Sequence, residues 1–236
     1  MDEPRNAYGQ PVGPAMPGWS ARPLPPSTPM IGRYCRVEAA DPARHGAGLY
    51  EAFAEAPDGR DWTYLSADWP ADLDGYLTYL KEATAKADPF HHAILDTATG
   101  RPLGTAALMR IDPGNGVIEV GAITYSPRLK RTPAGTEAMY LLMRRAFEEL
   151  GYRRYEWKCD GLNAASRRAA LRYGFRYEGL FRQAVVYKGR SRDTAWFSIT
   201  DGEWPRVRAG FERWLMPENF DGDGRQRRSL ADLREP

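Results

Sequence analysis

The clearest hydrophobic pattern in the chain runs from Ala134 to Leu150. Apolar side chains recur there every three or four residues, the period that places them on one face of a helix. Gly151 follows directly, and glycine is a common residue just past the end of a helix. The pattern predicts an amphipathic helix over residues 134–150.

Three segments with extended character come before this helix, at residues 92–96, 103–111 and 117–125. They are separated by Thr97-Ala98-Thr99-Gly100 and by Asp112-Pro113-Gly114-Asn115-Gly116. Glycine, proline, asparagine and aspartate are the residues that tight turns favour. The spacing therefore predicts an antiparallel meander of three strands.

The remaining pattern completes a mixed fold. A strand at 31–37 and helices near 43–55 and 71–86 come first, and a strand at 155–159, a helix at 164–173 and a hairpin of 177–187 with 194–200 come last. A strand, helix, strand passage of this length favours parallel neighbours with a right-handed crossover. We therefore predict an α/β (α+β) fold in which the strands at 117–125 and 154–159 are parallel neighbours in a mixed sheet.

Composition narrows the function classes. The 236 residues suit one domain, and a formal charge of +2 gives no general reason for a polyanionic partner, so nucleic acid is not an expected partner. Cys35 and Cys159 lie far apart without the spacing of a metal site, and no metal is expected. The chain starts without a secretory signal and has no run of about 20 apolar residues. We expect a cytoplasmic protein that does not enter a membrane.

Both ends of the chain differ in composition from its middle. Residues 1–29 are rich in proline, glycine and serine and are predicted to form a disordered arm. Residues 217–236 contain Arg225-Gln226-Arg227-Arg228 and are predicted to form a flexible basic tail, although this cluster could also contact RNA or another acidic surface. The folded domain is expected over 30–216. Its last helix, at 204–215, docks either on its own domain or on a second subunit, which leaves a homodimer open.

The turn before the long helix carries candidate chemistry. Thr132 is a plausible N-cap and Pro133 a plausible first helical residue, which leaves backbone amides pointing outward. Arg128, Lys130 and Arg131 add full charges to the partial positive charge of the helix N-terminus. The turn suits a diphosphate, and the alternative is an ordinary solvated basic surface.

Two stretches of sequence resemble one known family. The run from Gly121 to Ala138 resembles the acyl-CoA pyrophosphate motif of GNAT acetyltransferases, and the later Asn163-x-x-Ser166 with Gly174-Phe175 resembles the next motif in the RimJ/RimL-like branch, which acetylates ribosomal proteins. With the order of elements, the resemblance covers about residues 31–200. It implies a mixed, mostly antiparallel central sheet with a splayed parallel strand pair and with helices on both faces.

One position departs from the family motif. Its pattern of Gln or Arg, two variable residues, Gly, one variable residue, then Gly or Ala begins here at Lys130 and places Pro133 where the middle glycine belongs. Proline has no amide donor, but a first helical turn tolerates it. The resemblance then implies that a diphosphate is bound by the turn, through Lys130 and the amides of Arg131, Thr132, Ala134, Gly135 and Thr136.

The resemblance also implies a cosubstrate, acetyl-CoA. Its pantetheine arm would pair with the backbone of Ile123, Thr124 and Tyr125 as an extra strand does, and an amide there would polarise the thioester carbonyl. Asn163 would hold the pantetheine amide. The alternative role of Asn163 is to cap the following helix, and one residue can do both.

Acyl transfer to an amine needs a base and an acid for proton transfer. An amine nucleophile must lose a proton before or during attack, and Glu119, on the strand that borders the expected cleft, is the candidate base. Its alternative is an exposed strand position that faces solvent. Ser166 is the candidate acid for the leaving thiolate, because the slot that often holds a tyrosine in this family is Ala170. Tyr173 is the other candidate for this acid, although it is expected to pack at a helix end instead.

These residues together predict an N-acetyltransferase that uses direct attack in a ternary complex. The amine acceptor would be a protein N-terminus or a small molecule, with a pocket wall formed by residues 57–70. The alternatives are transfer of another acyl group, such as succinyl, and a CoA-binding regulatory or interaction module without turnover.

Overall fold

The computed structural model of the protein describes residues 4–234. Its centre is a sheet of eight strands in the order β1-β2-β3-β4-β5-β6-β8-β7. The strands are β1 Met30–Ile31, β2 Cys35–Ala39, β3 Phe90–Asp96, β4 Pro102–Asp112, β5 Val117–Tyr125, β6 Arg154–Asp160, β7 Arg176–Tyr187 and β8 Arg190–Thr200. Every neighbouring pair is antiparallel except β5 and β6, which are parallel. The predicted fold class, the meander and the parallel pair are confirmed.

The described residues contain six α-helices, four of them between strands and two after the last strand. They are α1 Pro42–Ala54, α2 Leu73–Thr84, α3 Pro133–Arg144, α4 Ala164–Tyr173, α5 Trp204–Trp214 and α6 Leu230–Arg234. The helix predicted over 134–150 begins one residue earlier and changes to π-helical geometry over Arg145–Glu149. At this change the Arg145 amide donates to the carbonyls of both Leu141 and Leu142. Within residues 4–234 no helix is long and apolar enough to cross a membrane.

The strand predicted at 31–37 is divided into β1 and β2 by a bend, and the cause is a buried carboxylate. Glu137 in α3 is 5% exposed, and its oxygens accept hydrogen bonds from the amides of Arg33, Tyr34 and Cys35 at 2.8, 2.6 and 2.8 Å. Gly32 lies so close to this carboxylate that a side chain there would collide with it. The bend therefore ties the edge of the sheet to the beginning of α3.

Two groups of buried apolar side chains stabilise the domain. The larger one packs α3 on the sheet, α5 on α3 and α6 on α5, and it includes Leu142 and Phe211, which are fully buried. The smaller one joins α1, α2 and the 3-10 turn Gly59–Trp62, with Leu49, Phe53, Trp62, Tyr76 and Leu80. Burying each such side chain contributes about 1.5–3 kcal/mol. The apolar side of α5 is covered by its own domain.

The terminal segments differ from the prediction of a disordered arm and a flexible tail. Trp19 donates from its indole to the carbonyl of Gly114 at 2.8 Å, and the Tyr152 hydroxyl donates to the carbonyl of Pro23 at 3.2 Å. At the other end, Leu230 is fully buried and Leu233 is 6% exposed, because their spacing places both against α5. Residues 1–3 of the arm and 235–236 of the tail lie outside the described residues.

Candidate active site

The parallel strands β5 and β6 separate halfway along their length. Val117 to Val120 pair with Arg154 to Trp157, and no pairing follows. Beyond that point β5 stays with β4 as far as Tyr125, and β6 stays with β8 as far as Asp160. The two strands thus part because each follows its outer neighbour, and the predicted splayed pair is confirmed.

A β-bulge lies where the strands part. The register between β4 and β5 shifts so that Ala122 and Ile123 face the single residue Ala106. Ala122 has a φ of 47°, which is uncommon for a residue with a side chain. A bulge bends its strand and increases its twist. Ile123, Thr124 and Tyr125 follow directly, so their backbone is turned along the opening.

The opening continues into a cleft of about 1970 Å³. Nearly all residues that the sequence predicted for the site line it: Glu119, Ile123, Thr124, Tyr125, Lys130, Arg131, Thr132, Gly135, Thr136, Asn163 and Ser166. The side chain of Ala134 is buried behind the turn instead. The structure therefore brings together residues from three separate segments of the chain: β5, the turn that leads into α3, and the start of α4.

The turn before α3 has the predicted capping geometry. Thr132 is the N-cap, with extended φ and ψ of −107° and 161°, and Pro133 is the first helical residue. The Thr132 hydroxyl accepts from the Gly135 amide at 3.1 Å and donates to the Leu129 carbonyl at 2.8 Å. Thr132 therefore holds both the end of the basic turn and the start of the helix.

This cap corrects part of the predicted diphosphate site. The Gly135 amide is taken by the Thr132 hydroxyl, and the Thr136 amide donates to the Thr132 carbonyl at 3.3 Å. Within residues 4–234, no hydrogen-bond acceptor is found for the amides of Arg131, Thr132 and Ala134. Three of the five predicted donors thus remain available to an anion, because the helix itself uses the other two.

Two of the three basic side chains of the turn form ion pairs that the sequence did not predict. The Lys130 ammonium lies 2.5 Å from a carboxylate oxygen of Asp61, and Arg128 pairs with Glu55. Arg131 has a φ of 61° and makes no ion pair with any residue between 4 and 234. Arg131 is therefore the cation of the turn with the most freedom to meet a ligand, and Lys130 would have to leave Asp61 first.

Gly135 has no room for a side chain. A Cβ atom there would lie 2.7 Å from the Leu129 carbonyl oxygen and 3.0 Å from the Tyr125 ring. The Tyr125 hydroxyl in turn donates to the Gly135 carbonyl at 2.8 Å, and burial raises the pKa of Tyr125 well above its usual range. Glycine lets the helix start pack directly on the end of β5.

Glu119 is buried, so the alternative of a solvent-facing strand residue is wrong. It is 3% exposed, and its two oxygens lie 3.0 and 2.9 Å from Nη1 of Arg110. Nζ of Lys158 lies 2.9 Å from Glu119 and 2.7 Å from Glu156, and 3.7 Å above the Trp196 ring. The candidate base is therefore a carboxylate held between two cations.

Asn163 and Ser166 lie in the first turn of α4. The Asn163 side chain accepts from the Ser166 amide at 3.0 Å, which confirms its capping role. The Ser166 hydroxyl accepts from the indole N–H of Trp157 at 2.9 Å. An indole can only donate, so the hydroxyl keeps its own proton for another acceptor. Burial also raises the pKa of the Cys159 thiol in the same wall of the cleft.

The slot without a tyrosine contributes nothing to the cleft. Ala170 is fully buried in the core. Tyr173 packs against Trp157 and Phe211, with each pair of ring centroids 6.1 Å apart, and burial raises its pKa. Its predicted packing role is confirmed, although its edge also lines the cleft.

The β7–β8 hairpin forms another wall of the cleft. The Lys188 ammonium donates to the Trp62 carbonyl at 2.9 Å and pairs with Asp68 at 2.8 Å. The Tyr187 hydroxyl donates to Asp160 at 2.9 Å, and burial, with this contact, raises the pKa of Tyr187 to about 12. From the predicted wall 57–70, Arg60, Asp61 and residues 63–67 line the cleft, whereas Trp62 belongs to the smaller core.

Sequence reasoning missed Lys158 and Arg172. Nη1 of Arg172 donates to the Thr136 hydroxyl at 3.1 Å, and its guanidinium lies 5.0 Å above the Trp214 ring. Both side chains line the cleft. Neither stands out in the sequence, because a charge on a strand or at the end of a helix is usually solvated.

Comparison with known proteins places this arrangement in a family. The family model for the acetyltransferase (GNAT) domain matches residues 41–176. A comparison with curated protein sequences found no match.

Solved structures match over most of the chain. A GCN5-related N-acetyltransferase from Brucella melitensis is 45% identical, with 94% of this chain and 100% of that chain covered and a TM-score of 0.92. A probable acetyltransferase of the GNAT family from Chromobacterium violaceum is 39% identical, with 83% and 98% covered and a TM-score of 0.77.

A third structure is more distant. It is RimL, a ribosomal L7/L12 alpha-N-protein acetyltransferase in complex with coenzyme A, at 18% identity, with 73% of this chain and 98% of that chain covered and a TM-score of 0.59. This similarity shows the fold alone. The family model and the two nearer structures together show that the chain belongs to the GNAT acetyltransferase family and is an acetyltransferase.

Proposed function

We propose that the protein transfers an acetyl group from acetyl-CoA to a primary amine, by direct attack in a ternary complex. The observation that carries this proposal is the parting of β5 and β6 at Val120 and Trp157, in a cleft that also contains the basic turn at the start of α3. An extended arm with an anion at one end matches an opening of this shape. Acetyl-CoA supplies the activated acyl group as a thioester.

The residues of the turn suit the diphosphate. The amides of Arg131, Thr132 and Ala134 are available, the dipole of α3 adds partial positive charge, and Arg131 adds a full charge. The loss of one donor at Pro133 is tolerated because a helix start has spare donors. Ile123, Thr124 and Tyr125 would pair with the pantetheine arm, and Asn163 would hold its amide while it caps α4.

Glu119 is the proposed acceptor of the amine proton, either directly or through a water molecule. A lysine side chain has a pKa near 10.4 and an α-amine one near 8, so most of the substrate arrives protonated. The side chain of Arg110 is 56% exposed and that of Lys158 is 7% exposed. An incoming ammonium group can therefore take the place of Arg110, whereas Lys158 stays and holds the carboxylate in position.

Ser166 is the proposed donor of a proton to the leaving thiolate. Its hydroxyl accepts from Trp157 and can therefore donate into the opening. It lines the same cleft as Glu119. Ser166 lies on α4, which follows β6, whereas Glu119 lies on β5. Glu119 would take a proton from the attacking amine, and Ser166 would give one to the sulfur that leaves the acyl carbon.

The acceptor is proposed to be a protein N-terminus or a small-molecule amine, in a pocket formed by residues 63–67 and the β7–β8 hairpin. The motif at Asn163 and Ser166 supports the RimJ/RimL-like branch, to which the distant relative RimL belongs by name. Specific features also support two alternatives to acetyl transfer. Pro133 in the turn and Ala170 in the tyrosine slot favour a CoA-binding module without turnover, and the size of the cleft allows a larger acyl group.

Calorimetry of acetyl-CoA binding tests the proposal, with Arg131→Glu compared with wild type. Arg182→Glu is the matched control, because Arg182 is exposed on β7, does not line the cleft, and changes the net charge equally. We expect the first variant to lose binding and the control to keep it, and wild type to acetylate members of a panel of amines. Binding without turnover on that panel would support the module, and absence of wild-type binding would remove the proposal.

A further inference from the structure

One wall of the cleft is formed by the C-terminal loop, Phe220–Gln226. Phe220, Gly224, Arg225 and Gln226 line the cleft. This loop follows the family match at 41–176 and belongs to the segment that composition predicted to be a solvated tail. A loop at this place can contact whatever the cleft binds.

The loop is held by contacts of its own. The Asp221 carboxylate accepts from the amides of Asp223 and Arg225 at 3.0 and 2.8 Å, and the Asp221 amide donates to the Arg225 carbonyl at 3.0 Å. Gln226 accepts from the indole N–H of Trp214 at 2.8 Å, and Phe220 packs edge-on against the same ring, with 5.0 Å between centroids. The loop therefore has a defined shape that does not require a ligand.

A chain of contacts joins this loop to the diphosphate turn. The Trp214 ring that holds the loop also lies 5.0 Å beneath the guanidinium of Arg172. Arg172 donates to the hydroxyl of Thr136 in the first turn of α3 at 3.1 Å. The loop therefore lies near the N-terminus of α3, and Trp214 and Arg172 connect the two.

Arg225 in this loop has one weak ion pair. The nearest carboxylate oxygen to the Arg225 guanidinium belongs to Asp223 at 3.8 Å, and these side chains are 81% and 77% exposed. An exposed pair at this distance contributes little. Arg225, with Arg131 on the turn and the remaining donors of Arg172, gives this end of the cleft a positive wall.

The direction of the cosubstrate follows from its chemistry. If the thioester lies near Glu119 and the diphosphate lies at the start of α3, the nucleotide is attached on the other side of the diphosphate and must extend away from Glu119. CoA carries a 3′-phosphate on that nucleotide, with up to two negative charges. We propose that Arg225 of the C-terminal loop binds this 3′-phosphate, a role that rests on the proposed binding of acetyl-CoA.

Calorimetry with CoA and with dephospho-CoA, which lacks only the 3′-phosphate, tests the assignment on the full chain. Wild type should bind CoA about tenfold more tightly, as one charge-assisted contact at an exposed site provides. Arg225→Gln should bind dephospho-CoA as wild type does and lose the preference for CoA. Arg227→Gln is the matched control, because Arg227 is exposed in the same segment but does not line the cleft.

Three outcomes would overturn the assignment. Equal affinity of wild type for both ligands would show that the 3′-phosphate is not bound, and an equal effect of Arg227→Gln would show a general charge effect. A loss of affinity for both ligands in Arg225→Gln would place the contact elsewhere on the nucleotide. In each of these cases CoA still binds, whereas no binding of either ligand would remove the proposed function as well.

Discussion

The ammonium group of Lys158 lies 2.9 Å from Glu119 and 2.7 Å from Glu156, and so stands between two buried carboxylates on neighbouring parallel strands. These three side chains sit at the point where β5 and β6 part. Glu119 and Glu156 are register partners and would repel each other without a cation between them. The ion triad therefore holds the strands together immediately before they separate.

Replacement of Lys158 should reveal this role. Lys158→Met leaves two buried carboxylates without their shared cation, and we expect the free energy of unfolding to fall by about 3 kcal/mol. Arg110→Gln is the matched control, because Arg110 is the exposed partner of Glu119 and its loss should cost less than about 1 kcal/mol. Urea denaturation measures both variants. Equal losses would contradict the view that the buried cation is the important one.

Loss of the proposed base should separate chemistry from binding. Glu119→Gln keeps the shape of the side chain, so we expect acetyl-CoA affinity within about twofold of wild type and a turnover number lower by about 100-fold or more, the usual contribution of a general base. Release of CoA from acetyl-CoA, detected through its free thiol, measures turnover. Retained turnover in a folded variant would remove Glu119 from the mechanism.

Gly135 should not tolerate alanine. A methyl group there meets the Leu129 carbonyl and the Tyr125 ring, so Gly135→Ala should lower the free energy of unfolding by about 1–3 kcal/mol and weaken acetyl-CoA binding. Gly179→Ala is the matched control, because no atom lies within 4 Å of its added Cβ. Thermal melts and calorimetry compare the two. Similar behaviour of both variants would show that the turn can relax.

His92 should make stability depend on pH. Burial lowers its pKa to about 3, whereas the unfolded chain should titrate near the usual value of 6.5. The folded state then binds fewer protons, so stability is complete above pH 6.5 and is lost as the pH falls toward 3. The loss at pH 5 should be about 2 kcal/mol from this group.

The variant His92→Leu removes the titrating group, so its free energy of unfolding should fall less than that of wild type as the pH is lowered. Urea midpoints at pH 7 and pH 5 provide the measurement for both proteins. If the variant loses as much stability as wild type over this interval, the pH dependence arises from other groups.

Local patterns in the sequence predicted a large part of this architecture. The helical period of α3, the turn residues of the meander and the length of the crossover were enough to place 117–125 beside 154–159. Thr132 and Asn163 were predictable as caps because capping depends on residues three positions apart.

Long-range contacts were not predictable in this way. The pairing of Lys130 with Asp61 joins residues far apart in the sequence, and the bulge at Ala122 places an ordinary residue in a left-handed conformation. The C-terminal segment looked polar because its last helix contributes two buried apolar side chains, those of Leu230 and Leu233. Each of these features depends on packing between elements, which periodicity does not report.

The carboxylate of Glu137 has a consequence for motion. It accepts hydrogen bonds from three consecutive amides, those of Arg33, Tyr34 and Cys35. These amides can exchange their protons with solvent only when the bend and α3 come apart, so their hydrogen-exchange rates report the local opening of the helix. A ligand that binds at the N-terminus of α3 and stabilises the helix would slow the exchange of these three amide protons, although it makes no contact with that edge of the sheet.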